Sequence, residues 1–328
     1  MGRFAVRFCL LIGGAGVLIW LALARPFVFV SGEQQALVRA DPHVLERDTK
    51  RISVEFFPRD WRNVDNLNRL ATFLEAEFKL TNSRVSRQTY PINGVGYHNV
   101  ISEYGSPSEV GTVVIGAHYD AYGELPGADD NASGVAGLLE LGRMLSRHPP
   151  PFKVLLVAYT LEEPPFFPSD NMGSAVHAES LVKSGENVRL MISLEMIGYF
   201  SDAPKSQSYP VPLLDLFYPS RGDFVAIVGG FSFSRATIDL KRAFLKSVAL
   251  PAVSINAPAI IPGIDFSDHR NYWKHGFDAV MITDTAFLRN EAYHTEWDTY
   301  DRLNYEKMSD VVTGVFSYLS SLEEDLPR

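Results

Sequence analysis

The sequence predicts an α/β fold: a three-layer sandwich with a mixed, mostly parallel central sheet, forming a single domain behind an N-terminal transmembrane or signal helix. Two observations lead there. Apolar runs of strand length alternate with amphipathic stretches of roughly 10 to 18 residues at helical spacing. No internal repeat, low-complexity tract or linker interrupts residues 60–328. The expected division is an apolar segment over 1–30, a connector over 31–60 and one domain over 61–328.

The elements follow in order. Residues 31–60 are mixed and polar without strong periodicity. From Asn63 to Lys79, Val64, Leu67, Leu70, Ala71, Leu74 and Phe78 recur three and four apart, the spacing of a helix buried on one face, with Asp60 or Asn63 as its N-cap. Extended segments are expected around Val85–Tyr90 and Asn99–Tyr104, and a buried strand over Thr112–Ala117. A helix over Ala132–Leu145 precedes a strand over Phe152–Tyr159. Ser174–Lys183 and Arg235–Ser247 are expected helices, Arg189–Ile197, Phe224–Val228 and Ala279–Ile282 strands, and Tyr305–Leu322 closes the chain as an amphipathic helix.

Composition narrows the function. With 46% hydrophobic and 21% charged residues, the 328-residue chain is neither disordered nor collagen-like. Thirty basic against thirty-nine acidic residues leave a net charge of −9, which disfavours a nucleic-acid partner. The single cysteine, Cys9, lies in the N-terminal apolar stretch, so the domain holds no disulfide framework and no thiolate metal site. Any metal must be bound by His, Asp and Glu.

Phe8 to Ala24 is an uncharged run of 17 residues, preceded by Arg3 and Arg7. As a helix it would cover about 25 Å, close to a bilayer's hydrocarbon core. The flanking arginines favour an anchor whose following domain is exported, periplasmic or extracellular. The alternative is a cleaved signal peptide, since Ala22-Leu23-Ala24 has the form of a cleavage site; the domain would then be secreted.

Ligands in a sheet of this kind sit at the C-terminal ends of the strands, and that is where the chemistry-bearing residues fall. The run to Ala117 leads into His118-Tyr119-Asp120, the run to Tyr159 into Glu162-Glu163, the run to Leu194 into Glu195, and the run to Ile282 into the loop bearing His294. Gly127-Ala128-Asp129-Asp130-Asn131 precedes the Ala132 helix. His118, Asp130, Glu163, Glu195 and His294 supply one bridge and four terminal ligands, the number two adjacent ions need. Asp120 is placed to accept the second imidazole N–H of His118, and Glu162 to act as a general base. Taken singly, each item also fits a helix cap, a solvated face or a surface imidazole. Ser267-Asp268-His269 resembles part of a hydrolytic triad, but no Gly-x-Ser-x-Gly elbow accompanies it.

Gly116-Ala117-His118-Tyr119-Asp120, Pro126 to Gly134, Glu162-Glu163, Gly173-Ser174, Glu195-Met196-Ile197-Gly198 and Tyr293-His294-Thr295 with Asp298-Thr299 resemble the motifs of the M28 family of zinc aminopeptidases and related peptidases. The resemblance extends from about Asn63 to the C-terminus. It implies a two-zinc exopeptidase acting on peptides, with cobalt or another divalent ion as a substitute. His118, Asp130, Glu163, Glu195 and His294 would be ligands, Asp130 the bridge, Glu162 the base and Asp120 the orienter of His118. Two departures stand out. Position 195 is Glu where many members have Asp, and the loop from Glu163 to Gly173 is longer than usual. Phe166, Phe167 and Met172 on that loop are expected to line an apolar substrate pocket or else to pack it onto the core. Glutaminyl cyclases, which share the fold and use one zinc, give a second reading. A tethered, non-catalytic ectodomain gives a third.

Overall fold

The computed structural model describes residues 24–32, 34–230 and 235–324. The expectation for residues 1–23, most of the apolar N-terminal segment, lies outside the described residues, and among those described no helix is long and apolar enough to cross a membrane.

The segment expected to be a connector is instead part of the domain. Helix α1, Pro42–Lys50, is capped by Asp41, whose side chain accepts from the His43 N–H at 2.9 Å, and it runs on into a wider turn over Arg51–Glu55. Leu45, Ile52 and Phe56 from this stretch are buried in the main core. Its apolar residues are few, so no periodicity shows in the sequence; packing against a neighbouring surface supplies the stability that pattern alone does not.

Helix α2, Val64–Lys79, matches the expected span, with Leu67, Leu70, Ala71, Leu74 and Phe78 facing inward. Asn63 occupies its cap position, but the side chain donates to Asp60 and not to the helix. Strands β1, Arg84–Ile92, and β2, Val95–Tyr104, form a hairpin joined to β4, Val154–Tyr159. Strand β3, Thr112–His118, is buried throughout and lies between β4 and β5, Val188–Glu195. Strands β6, Val225–Gly229, β7, Ala252–Asn256, and β8, Ala279–Thr283, complete one eight-stranded sheet in the order β1-β2-β4-β3-β5-β8-β6-β7. The β3-β4, β3-β5, β5-β8 and β6-β7 pairs are parallel and the other three antiparallel. The sheet is thus mixed, as expected. β7 was not foreseen, because its five residues alternate too briefly to separate from loop.

Side chains alternate across the sheet. Leu190, Ile192 and Leu194 of β5 enter the larger core cluster, together with α3 (Gly134–Arg147), α5 (Ala236–Ser247) and α7 (Tyr305–Glu324). Met191 faces the opposite side, where Ala178 and Leu181 of α4 (Gly173–Ser184) and Tyr272 of α6 (His269–Lys274) cover it. One α/β domain results. Four parallel strands, β3, β4, β5 and β8, end on the same edge, and that edge carries the site.

Candidate metal centre

Each ligand candidate sits at or just beyond a strand end. His118 is the last residue of β3 and Glu195 the last of β5. After β4 the chain turns at Leu161 (φ 60°) to present Glu162 and Glu163; after β5 it turns at Met196 (φ 49°). Left-handed backbone at such bulky residues is costly and is found where a site dictates the geometry.

Asp130 projects from a kinked turn over residues 128–133, where its backbone (φ −103°, ψ 90°) departs from the helix that follows at Gly134. Cross-links hold that turn from three sides. Asp298 accepts the N–H groups of Asp129 at 2.9 Å and Asp130 at 3.0 Å. Asn131 Oδ1 accepts from Gly134 N and Met196 N, both at 3.1 Å, and its amide donates to Leu194 O at 2.8 Å. The fully buried guanidinium of Arg59 donates to the carbonyls of Tyr119, Pro126 and Gly127. Gly127 (φ 56°) has no room for a side chain, since a Cβ there would meet the Asp130 carbonyl at 2.3 Å.

The five candidates converge into two groups that share Asp130: His118, Asp130 and Glu195, and Asp130, Glu163 and His294. Nε2 of His118 lies 3.3 Å from Asp130 Oδ1 and 3.5 Å from Glu195 Oε1. Nε2 of His294 lies 3.0 Å from Asp130 Oδ2 and 3.3 Å from Glu163 Oε2. Both Nε2 atoms, and Oε1 of Glu163, are buried without a hydrogen-bond partner. Such orphans are costly unless something else satisfies them. An all-nitrogen-and-oxygen donor set aimed inward suits zinc or a similar divalent ion, so these residues fit a metal.

Charge says the same. Burial alone would lower the His118 imidazole, yet the carboxylates of Glu195 and Glu162 outweigh it and raise it well above its ordinary value. Burial likewise pulls His294 down, but Asp130 and Glu163 push it up to about 10. Glu163 is raised to about 8 by burial and by Asp130, and Glu162 is raised well above the usual carboxylate range chiefly by burial. Burial also raises Asp130, but the neighbouring imidazoles of His118 and His294 prevail and bring it below the usual range. The site demands positive charge at its centre.

Asp120 acts differently from expectation. Nδ1 of His118 is 3.2 Å from the main-chain carbonyl of Asp120 and 3.6 Å from its Oδ1. The carboxylate instead accepts the N–H groups of Glu162 and Glu163, each at 3.1 Å. Asp120 therefore sets both the His118 ring and the Glu162-Glu163 turn. Glu162 belongs to neither ligand group, with Oε2 3.9 Å from His118 Nε2. The imidazole of His294 stacks on Tyr122, centroids 4.0 Å apart, and on Tyr293 at 3.8 Å.

The expected lining of the pocket is corrected. Met172 is fully buried and accepts from Asn271 through its sulfur, and Phe166 packs on Trp61 and Tyr97. Phe167 lies edge-on to Phe266 at 5.9 Å, with the Arg270 guanidinium 4.8 Å from its ring centroid. The apolar cavity beside the site, about 100 Å³, lies on the β6-β7-β8 side, where Phe224, Val228, Met281, Phe266 and Phe287 line it and Glu195 and Tyr293 meet the metal centre. No short motif marks it, because its walls come from five separated stretches. Ser267-Asp268-His269 is no triad: Ser267 donates to Glu195, and His269 Nε2 donates to the carbonyl of Ile264. Asp268, fully buried with both carboxylate oxygens unpartnered, is pushed up to about 7 by that burial.

Buried carboxylates and imidazoles gathered at the ends of parallel strands define a metal-dependent hydrolase site. The chain belongs to Peptidase family M28, whose model matches residues 99–319. It is 51% identical over 288 residues to the uncharacterized protein YfbL of Escherichia coli, covering 85% of this chain and 88% of that one. Its fold is similar to that of BSAP, a zinc aminopeptidase from Bacillus subtilis, with a TM-score of 0.69, 12% identity and coverage of 88% and 97%. It is also similar to that of a Bacteroides thetaiotaomicron glutaminyl cyclase bound to N-acetylhistamine, with a TM-score of 0.64, 17% identity and coverage of 86% and 98%.

Proposed function

We propose that this M28 member is a two-zinc aminopeptidase that removes N-terminal residues from peptides. The observation that carries this reading is the division of Asp130: one carboxylate oxygen faces His118 and the other faces His294. His118, Asp130 and Glu195 would hold one ion, and Asp130, Glu163 and His294 the other. When bound, the ions supply a water of lowered pKa and charge that polarises the scissile carbonyl. Glu162 takes the proton of the attacking water and returns it to the leaving amine. Its raised pKa, set by burial, suits a group that must hold a proton between the two steps. The apolar cavity next to Glu195 receives the side chain of the N-terminal residue and favours large apolar ones.

A single ion would leave either His118 and Glu195 or Glu163 and His294 without a metal. Nε2 of both imidazoles is buried and partnerless, which supports the two-ion reading over the single-zinc one. The test is a mixture of unblocked peptides, one beginning with glutamine, incubated with zinc-loaded protein and followed by mass. Loss of whole N-terminal residues is expected. Loss of ammonia from the glutamine peptide alone would establish the cyclase instead.

A further inference from the structure

The chain enters the described domain at Ala24, the last residue of the apolar run that begins at Phe8, and it does not leave the surface at once. Ala24 and Pro26 are buried, and Lys241 Nζ donates to the Pro26 carbonyl at 3.0 Å. The Arg25 guanidinium lies 4.8 Å from the centroid of the Tyr218 ring and 5.7 Å from that of Phe27. Farther on, Gln34 Nε2 donates to Leu245 O at 3.3 Å and Gln35 N to Lys246 O at 2.9 Å. The entry segment is thus bound along α5 and against the loop that ends at Tyr218. The Tyr218 hydroxyl in turn donates to Ser254 O of β7 at 2.9 Å. All of these contacts lie at one end of the sheet, the β7 edge.

That end is unusually apolar on its outside. Among the described residues, seven large apolar side chains are more than 60% exposed, and four belong here: Phe27 (64%), Phe29 (91%) and Leu37 (73%) on the entry segment, and Leu216 (75%) two residues before Tyr218. Single exposed apolar residues need no explanation, but a group of them does. Aromatic and aliphatic side chains beside Arg25 and Lys241, immediately after an apolar run of near-spanning length, have the composition of a membrane–water interface.

We propose that this face, Arg25–Phe29 with Leu37 and Leu216, lies on the surface of the bilayer that the preceding apolar run enters, so that the domain is held to the membrane by its β7 edge and does not swing on a free tether. The proposal rests on the anchor reading of Phe8–Ala24. It has a consequence for the cavity: Leu214, on the same short turn as Leu216, is one of its walls, so one loop touches lipid outside and substrate space inside.

The test uses the full chain with Cys9→Ser and single cysteines placed by Phe29→Cys, Leu216→Cys and Val95→Cys, each carrying the same fluorophore. Val95, the first residue of β2, is exposed at the β1-β2 hairpin, near the opposite end of the sheet. Six strand spacings put it about 29 Å from β7. The protein is reconstituted into phosphatidylethanolamine and phosphatidylglycerol vesicles containing a headgroup nitroxide lipid. Quenching at positions 29 and 216 is expected to exceed that at 95 by about threefold or more. Adding Phe27→Glu should reduce this difference while the protein still floats with the vesicles. Equal quenching at all three positions in floating protein overturns the proposed face. Protein that does not float overturns the anchor reading, and the face with it.

Discussion

The Ser267 hydroxyl donates a 2.6 Å hydrogen bond to Oε2 of Glu195, while Oε1 of that carboxylate lies 3.5 Å from Nε2 of His118. Ser193 Oγ is 2.8 Å from Ser267 Oγ and completes the chain of hydroxyls. The longer side chain at position 195 therefore reaches the site with one oxygen committed to positioning. On the proposed two-zinc centre, Ser267→Ala should weaken binding of one of two zinc equivalents by about 10- to 100-fold, as loss of an outer partner generally does. Titration against a chromophoric chelator would show it. Two unaltered equivalents would mean that Glu195 needs no such support.

Glu162→Gln preserves shape and removes the proposed base. Zinc content should stay at the wild-type value while turnover falls by about 100-fold or more. A fall in bound zinc as well would make Glu162 a ligand and require a different base.

Ala226 faces the cavity from β6. Ala226→Leu should narrow it, lowering kcat/KM on peptides with N-terminal phenylalanine by about tenfold and on those with N-terminal alanine much less. Equal effects on both would separate the cavity from substrate choice.

His177, fully buried on α4, has Nδ1 2.6 Å from the Tyr272 hydroxyl, and burial lowers its pKa from 6.5 to about 4. Below 6.5 the unfolded chain takes up a proton that the folded chain refuses until about pH 4. The unfolded state thus binds more protons, and stability falls as pH falls through this window, by about 3 kcal/mol from this group. A His177→Gln variant should lose that much less between pH 6.5 and pH 4 in urea unfolding. Identical pH slopes for variant and wild type would refute the assignment.

Much of the site was legible because its residues are marked by their neighbours. His118, Glu195 and the Glu162-Glu163 pair each follow an uninterrupted apolar run, which identifies both the strand and its end. Arg59 was not legible. It lies in a stretch without periodicity, and its role is to donate to three carbonyls some 60 residues away in sequence or more. Asp120 was expected to orient His118 through its carboxylate; its main-chain carbonyl lies against the ring, and the carboxylate goes to the backbone of β4's outgoing turn, a partner 42 residues distant. Met172 and Phe166 were misleading for a related reason: apolar residues on a long loop look alike whether they face a pocket or the core.

Local periodicity and the order of residue types thus determined the α/β class, the main strands and helices, and the set of carboxylates and imidazoles at the strand ends. These are short-range properties, set by alternation and by what each side chain is able to donate or accept. Only the tertiary structure decided which oxygen of Asp130 faces which imidazole, what holds Glu195, where the cavity lies and how residues 42–60 join the core. Those depend on contacts between segments far apart in the chain, which packing selects and which no single stretch encodes.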